Sequence, residues 1–210
     1  VNGISFSPTD KSFATCADEN AASVWHFERQ KLDFKMEGHA WDVKCVKWHP
    51  HMALIATGSK DSQVKLWDPK RGGNCLNTLY LHKQAVTGLA WNSQNGHWLA
   101  SCSRDRTVRV YDIRTMRQIQ EFRGHHADVT TVQWHPKHEP LLTSGDFEGT
   151  IAHWQMSHDA PVALIPSAHE GAIFDMSFHP TGNVLATASR DTSMKFWCRN
   201  RPGDVIANED

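Results

Sequence analysis

The sequence has almost no net charge, because its 22 Lys and Arg residues are balanced by 23 Asp and Glu residues, giving −1 over 210 residues. A chain without surplus positive charge does not attract nucleic acid as a whole, so a role in RNA binding would need a local patch or further chain. Long apolar runs are also absent, and none is long enough to cross a bilayer. The remaining composition, with 40% hydrophobic residues, is typical of a globular protein.

Cysteine is scarce and irregularly placed, at Cys16, Cys45, Cys75, Cys102 and Cys198. No pair has the Cys-x-x-Cys spacing, which argues against a zinc ribbon or a redox motif. An odd number of cysteines without a regular framework suits a reducing compartment. Three of them, Cys16, Cys45 and Cys102, fall in apolar strand-like runs and are predicted to be small core residues.

A sustained helical period is missing as well, and the apolar residues instead alternate with period two in short segments such as 43–48 and 64–67. Two aromatic positions recur along the chain. The first is occupied by Phe6, Trp48, Trp91, Trp134 and Phe178, and the second by Trp25, Trp67, Tyr111, Trp154 and Trp197. A repeat of about 43 residues that holds four strands predicts one propeller blade, so the fold class is all-β. The predicted blades are residues 1–37, 38–80, 81–123, 124–167 and 168–198, followed by a C-terminal tail, 199–210.

Polar residues recur together with these aromatics. Each complete repeat contains a loop histidine, a strand hydroxyl and an acid in the following turn. The histidines are His39, His82, His125 and His169, and the hydroxyl–acid pairs are Thr57 with Asp61, Ser101 with Asp105, Ser144 with Glu148, and Thr187 with Asp191. Such a set could be a hydrolase triad or a structural network. A catalytic set is needed once, whereas this one occurs in every complete repeat, so the repetition favours a structural role and a non-enzymatic protein.

Two short elements resemble the WD-repeat family. Gly38-His39 and Gly124-His125 match its Gly-His element, and Trp67-Asp68 and Tyr111-Asp112 match its Trp-Asp element. The resemblance implies that the recurring residues form one hydrogen-bonded chain within each blade. The implied sets are His39, Asp61, Thr57 and Trp67; His82, Asp105, Ser101 and Tyr111; His125, Glu148, Ser144 and Trp154; and His169, Asp191, Thr187 and Trp197. The hydroxyl of Tyr111 is expected to replace the indole donor, and the longer Glu148 is expected to distort its set.

The first repeat lacks its histidine loop, and the last lacks an outer fourth strand. In WD-repeat rings that strand usually comes from the start of the chain, and propellers normally close their open edges. We therefore expect these five blades to belong to a seven-bladed ring, with about two blades upstream.

A more specific resemblance runs across nearly the whole chain. It is carried by segments 6–10, 13–16, 42–50, 58–62 and 122–125, and above all by Arg199-Asn200-Arg201-Pro202-Gly203-Asp204 after the last strand. These segments resemble the WD-repeat subunits of the cleavage and polyadenylation specificity factor. The resemblance implies a nuclear, non-enzymatic scaffold in pre-mRNA 3′-end formation, bound to a large propeller subunit and a zinc-finger subunit. Together these subunits recognise the AAUAAA signal in pre-mRNA. In that family much of the RNA contact comes from parts that precede this segment, so no RNA-contacting residue is assigned.

The residue before each turn acid is predicted to point outward from one face of the ring, together with a tryptophan two residues beyond His39. The predicted partner-binding residues are Trp41, Lys60, Arg104, Phe147 and Arg190, and Asp18 has the same place in the first repeat. Arg and Trp are common at interface hot spots, although the three cations would also suit a merely solvated surface. An unrelated WD-repeat adaptor, such as a ubiquitin-ligase receptor or a chromatin-binding propeller, remains the alternative function.

No cofactor or metal site is predicted. His49-x-His51 and His135-x-x-His138 place histidines close together, but no cysteine or carboxylate completes either group. Both pairs lie at Pro-containing turns after a strand, so we expect them to be exposed turn residues.

Overall fold

The computed structural model describes residues 1–198, so the predicted tail, residues 199–210, lies outside the described residues. The described chain forms five antiparallel sheets, which we call blades 1 to 5. In every blade, strands that follow one another in sequence pair side by side. The all-β prediction is confirmed, and the only helical turn among residues 1–198 is the short 3-10 segment Pro69–Arg71.

The strands have the following bounds. Blade 1 contains β1 (Gly3–Phe6), β2 (Ser12–Cys16), β3 (Ala21–His26) and β4 (Lys31–Glu37). Blade 2 contains β5 (Val43–Trp48), β6 (Ile55–Ser59), β7 (Val64–Asp68) and β8 (Asn74–Leu79). Blade 3 contains β9 (Val86–Trp91), β10 (Trp98–Ser103), β11 (Thr107–Asp112) and β12 (Arg117–Arg123). Blade 4 contains β13 (Val129–Trp134), β14 (Leu141–Asp146), β15 (Ile151–Gln155) and β16 (Ala163–Ile165), and blade 5 contains β17 (Ile173–Phe178), β18 (Val184–Ser189) and β19 (Met194–Cys198).

The middle strands are buried on both faces, which explains their runs of small and apolar residues. All five residues of β6 are buried, whereas the outer strand β8 has one buried residue, Leu79. The buried residues cluster between neighbouring blades: Ile55 and Trp67 of blade 2, for example, pack in one core with Ala14 and Val24 of blade 1. Packing of blade against blade therefore supplies the core that a single sheet cannot provide.

The first strand of each blade lies innermost. Residues of β1, β5, β9, β13 and β17 together line a central space of about 340 Å³. Side chains connect these inner strands, since the Thr87 hydroxyl donates to the carbonyl of Val129 in the next blade at 2.5 Å. This arrangement gives the assembly two faces, which we define by their turns. The histidine face carries the loops that enter each first strand and the turns between the second and third strands, and the opposite face carries the turns between the first and second strands.

The cysteines follow the core pattern. Cys16, Cys45 and Cys102 are buried, and none of the five cysteines, all of which lie within residues 1–198, is in a disulfide. Burial raises the pKa of both Cys16 and Cys102 to about 12, so these thiols remain protonated. No helix in the described part of the chain has the length and apolar character needed to cross a membrane.

Candidate functional site

The histidine face of blade 2 is held by a continuous chain of hydrogen bonds. Nδ1 of His39 lies 2.9 Å from a carboxylate oxygen of Asp61, and Nε2 lies 2.7 Å from the Thr57 hydroxyl. The indole N–H of Trp67 donates to the same hydroxyl at 2.8 Å. Because a carboxylate only accepts, Nδ1 carries the proton, and the neutral ring accepts the Thr57 proton at Nε2. Burial lowers the pKa of His39 and so favours this neutral form.

Blade 5 repeats the whole arrangement, and blade 3 repeats it without an aromatic donor to the hydroxyl. In blade 5, His169 lies 2.9 Å from Asp191 and 2.7 Å from the Thr187 hydroxyl, which also accepts the Trp197 indole N–H at 3.0 Å. In blade 3 the corresponding distances from His82 are 3.0 Å to Asp105 and 2.8 Å to Ser101.

Tyr111 lies in β11, at the position that corresponds to Trp67 in blade 2, but its hydroxyl takes no part in the hydrogen-bond network of blade 3. Within residues 1–198 its hydroxyl has no hydrogen bond to Ser101 or to any other group, so the prediction that it serves as the donor was wrong. The phenol carries its O–H at the far end of the ring, whereas the indole carries its N–H on the side that faces the strand.

In blade 4 the predicted acid was wrong. Nδ1 of His125 lies 2.8 Å from Asp146, and Glu148 is exposed and lies outside the set. The rest of the set is as expected, because Ser144 lies 2.6 Å from Nε2 of His125 and accepts the Trp154 indole N–H at 2.7 Å. Asp146 stands where blades 2, 3 and 5 have a serine, namely Ser59, Ser103 and Ser189. Its second oxygen accepts the backbone N–H groups of Glu148 and Thr150. Asp146 alone therefore makes contacts that are divided between a serine and an acid in the other blades.

The acids of these sets remain ionised. Burial by itself would raise the pKa of Asp105, but hydrogen bonds from His82 and Thr107 outweigh it and hold the pKa well below its usual range. The pKa of Asp146 is lowered in the same way by His125 and by backbone N–H groups. Each carboxylate is therefore a fixed internal acceptor.

These sets contain the residue types of a hydrolase triad, but their hydroxyl groups are not accessible to a substrate. The hydroxyls of Thr57, Ser101, Ser144 and Thr187 belong to buried residues. Three of the four hydroxyls accept an indole N–H on one side and meet the histidine on the other. A nucleophile must reach a substrate, and a hydroxyl enclosed within a sheet has no such path. The geometry is that of a buried polar network, which rigidifies the face that it supports.

The predicted partner-binding residues all lie on the histidine face and are exposed. Three of them occupy equivalent places, because the backbone N–H groups of Lys60, Arg104 and Arg190 each donate to the loop that enters the same blade, at 2.9, 3.0 and 2.9 Å. Phe147 makes the corresponding bond to Asp128 at 2.9 Å and is 50% exposed. Trp41 is 56% exposed, and the ammonium group of Lys60 lies 4.7 Å from the centre of its ring.

The opposite face carries a second repeated network that the sequence reasoning missed. His49 and His135 were expected to be exposed, but both are buried. Nε2 of His49 lies 2.6 Å from the carbonyl oxygen of Gly96 in blade 3, and Nε2 of His135 lies 3.0 Å from that of Gly182 in blade 5. Asn92 makes the matching bond from blade 3 to blade 4, donating to the Glu139 carbonyl at 2.9 Å. The signal was a His or Asn after the first aromatic of successive repeats, at positions 49, 92 and 135.

We call these three contacts the inter-blade links. Gly182 shows how closely the partners approach, because its φ is +79° and a Cβ there would lie 2.3 Å from the His135 ring. His49 and His135 therefore have a structural role, since each ring contacts a carbonyl group of the next blade. In the described chain no group of three or more His, Cys, Asp or Glu side chains could hold a metal ion.

Comparison with known proteins agrees with this architecture. The WD domain, G-beta repeat model matches residues 30–68, 73–112, 116–155 and 161–198. The chain is also similar to proteins named polyadenylation factor subunit 2. Identity is 39% over 165 residues for the protein of Schizosaccharomyces pombe, covering 67% of this chain and 32% of that protein.

Two other relatives extend the likeness over more of the chain. Identity to the Gibberella zeae protein is 36% over 213 residues, covering 89% of this chain and 35% of that protein. Identity to the Candida albicans protein is 37% over 236 residues, covering 100% of this chain and 44% of that protein. The chain thus spans less than half the length of these curated relatives. With five propeller-type sheets, the repeated histidine networks and a family model that matches four segments, the chain belongs to the WD-repeat family.

Proposed function

We propose that the chain is a non-enzymatic scaffold within the nuclear machinery that cleaves and polyadenylates pre-mRNA. The observation that carries the proposal is its 36–39% identity to polyadenylation factor subunit 2 from three fungi, reaching across the whole chain in one of them. The similarity covers 67%, 89% and 100% of the chain in these three relatives, so it includes the blades themselves.

The structural support is a rigid face with exposed anchors. The networks around His39, His82, His125 and His169 tie each entering loop to the turn beside it. Trp41, Lys60, Arg104, Phe147 and Arg190 project from those loops and turns. A backbone that is already held in place loses little conformational freedom when a partner binds, which favours affinity. These five residues are the proposed partner-binding face.

The proposed partners are a large propeller subunit and a zinc-finger subunit of the cleavage and polyadenylation specificity factor. In this proposal, recognition of AAUAAA in the pre-mRNA belongs to the assembled complex. The chain contributes by holding the other subunits in place. Its own net charge of −1 agrees with a role in assembly more than with a role as the main RNA-binding element.

The test is affinity purification of the full-length protein from nuclear extract, followed by identification of the co-purifying subunits. Recovery of the large propeller and zinc-finger subunits in stoichiometric amounts is the expected result. Recovery of ubiquitin-ligase or chromatin components in their place would overturn the proposal and favour a different WD-repeat adaptor.

A further inference from the structure

The histidine face of blades 2 and 3 has an excess of positive charge. Lys60, Lys83, Arg104 and Arg106 are all exposed there, and the exposed indole of Trp41 lies beside Lys60. We call these five residues the basic patch. Of these four cations, only Arg104 has a carboxylate of the described chain within 4.0 Å, and its distance to Asp128 is a long 3.9 Å. The other three cations therefore present their charge to solvent.

The acids nearest in sequence do not neutralise this charge. Asp61 and Asp105 follow directly after Lys60 and Arg104, but their carboxylates turn inward to His39 and His82. Burial alone would raise their pKa values, but the backbone N–H of Gln63 with His39 lowers that of Asp61, and His82 with Thr107 lowers that of Asp105. Both carboxylates therefore remain charged but are held inside the blade. The surface that a partner meets is consequently more basic than the sequence composition suggests.

The basic patch is also pre-formed. The Trp41 carbonyl accepts the Ser59 hydroxyl at 3.0 Å, and the Lys60 N–H donates to the Asp42 carbonyl at 2.9 Å. The Lys60 ammonium group lies 4.7 Å from the centre of the indole ring, a distance at which the cation and the ring attract each other. A rigid aromatic beside a cation suits a partner that presents an acid next to an apolar side chain.

The charge excess is local to these two blades. The turn of blade 1 offers the acids Asp18 and Glu19, and the turn of blade 4 offers Phe147 with the outward Glu148. In blade 5, Arg190 lies beside Glu170 along the same hollow. Although the net charge of the chain is close to zero, its histidine face is acidic in blade 1, basic in blades 2 and 3, and mixed in blades 4 and 5.

We infer that the basic patch binds an acidic segment of a partner protein, with an apolar side chain of that segment packed against Trp41. This inference rests on the proposed scaffold function and names the chemistry of the partner. Single-stranded RNA would also bind cations, but a tract of RNA needs several aromatic side chains on which successive bases can stack. The basic patch contains one exposed aromatic side chain, Trp41, and Lys60 lies against its ring. A carboxylate can bind Lys60 without displacing it from the ring.

The experiment uses the purified chain and two labelled peptides of equal length and charge, one of Glu-Glu-Leu repeats and one of Glu-Glu-Ser repeats. Fluorescence anisotropy at fixed low salt is expected to show tighter binding of the leucine peptide. The triple variant Lys60→Gln/Lys83→Gln/Arg106→Gln should bind both peptides about tenfold more weakly, since charged contacts dominate the association. Trp41→Ala should abolish the difference between the two peptides.

The matched control is Arg29→Gln/Lys31→Gln/Lys35→Gln, which makes the same change in net charge at exposed positions of blade 1. Binding by the control should stay within about twofold of the parent chain, because its cations lie outside the basic patch. Equal losses in the two triple variants, no binding of either peptide, or tighter binding of an oligouridylate of equal length would each overturn the inference. Because the assay contains no other subunit, its failure would leave the co-purification result of the proposed function unaffected.

Discussion

Nε2 of His49 lies 2.6 Å from the carbonyl oxygen of Gly96, so a side chain of blade 2 is hydrogen-bonded to the turn of blade 3. The imidazole also lies edge-on to Trp91, with ring centroids 4.7 Å apart. Nδ1 accepts the backbone N–H groups of His51 and Met52 at 3.0 and 2.9 Å. The ring is therefore neutral and carries its proton on Nε2, because no second proton fits between Nδ1 and two donors.

Asn92 performs the same function without an ionisable group. Its amide N–H donates to the Glu139 carbonyl, and its oxygen accepts the N–H groups of Gln94 and Asn95 at 2.9 and 3.2 Å. The three inter-blade links each join residues 47 positions apart. Histidine and asparagine are thus alternative solutions to one geometric requirement.

The first prediction concerns the pH dependence of the link. Burial is the main cause that lowers the pKa of His49 below its ordinary 6.5. The folded chain therefore binds fewer protons than the unfolded chain below about pH 6.5, and stability is lost as the pH falls. His49→Asn should reduce this loss between about pH 6.5 and 5, measured by urea unfolding at several pH values. His126→Asn is the control because that ring is exposed, and an equal effect of the two changes would contradict the assignment.

Removal of the His49 ring is expected to destabilise the fold at neutral pH as well. His49→Ala leaves the Gly96 carbonyl and two backbone N–H groups without their partner, and should cost roughly 1–3 kcal/mol of unfolding free energy at neutral pH. His51→Ala should cost less, because that side chain is exposed. Thermal melts of both variants check the difference.

The second prediction concerns the histidine face. Asp105→Ala removes the acceptor of His82 and should destabilise the fold by roughly 1–3 kcal/mol. Arg104→Ala, one residue away, removes an exposed side chain with only a long ion pair and should cost little. If the two variants melt at the same temperature, the network does not have the stabilising role assigned to it.

The third prediction concerns Asp146, which takes the place of Glu148 as the acid of the blade 4 network. Asp146→Ala leaves His125 and two backbone N–H groups unpaired, so we expect a loss of roughly 1–3 kcal/mol in unfolding free energy. Glu148→Ala should change the unfolding free energy by less than about 0.5 kcal/mol, as is usual for exposed side chains. The reverse order in chemical denaturation would restore Glu148 as the acid of this set.

The fourth prediction concerns Tyr111. Tyr111→Phe should change stability by less than about 0.5 kcal/mol, because no described group is hydrogen-bonded to its hydroxyl. Trp154→Phe removes an indole N–H that donates to Ser144 at 2.7 Å, and should cost more than about 1 kcal/mol. A large effect of Tyr111→Phe in thermal melts would mean that the hydroxyl has a partner.

The fifth prediction concerns RNA. The candidate contacts Trp41, Lys60, Arg104, Phe147 and Arg190 come from four different blades, whereas a hexamer must be read in a compact site. Residues 1–210 alone are therefore expected to bind AAUAAA no more tightly than a scrambled hexamer. Competition binding at fixed salt measures this, and a clear preference for AAUAAA would locate the readout within these blades.

The sequence predicted the fold well because the aromatic spacing is set by the geometry of a blade, which every repeat must satisfy. It failed at Glu148, where the regular spacing pointed to that acid while Asp146, two residues earlier, makes the contact with His125. A shift of this kind depends on how one turn folds, and spacing alone carries no information about it. The partners of His49 were missed for another reason, since they lie in the following repeat and become neighbours only when blades pack.

The inter-blade links also bear on how the fold opens. A middle blade such as blade 3 is linked to both neighbours, through Gly96 on one side and Asn92 on the other, so its strands separate only when two links break. Stability in such arrays is a sum of unit terms and nearest-neighbour terms. Amide protons in β10 should therefore exchange with solvent more slowly than those in β2, because none of the three inter-blade links involves blade 1.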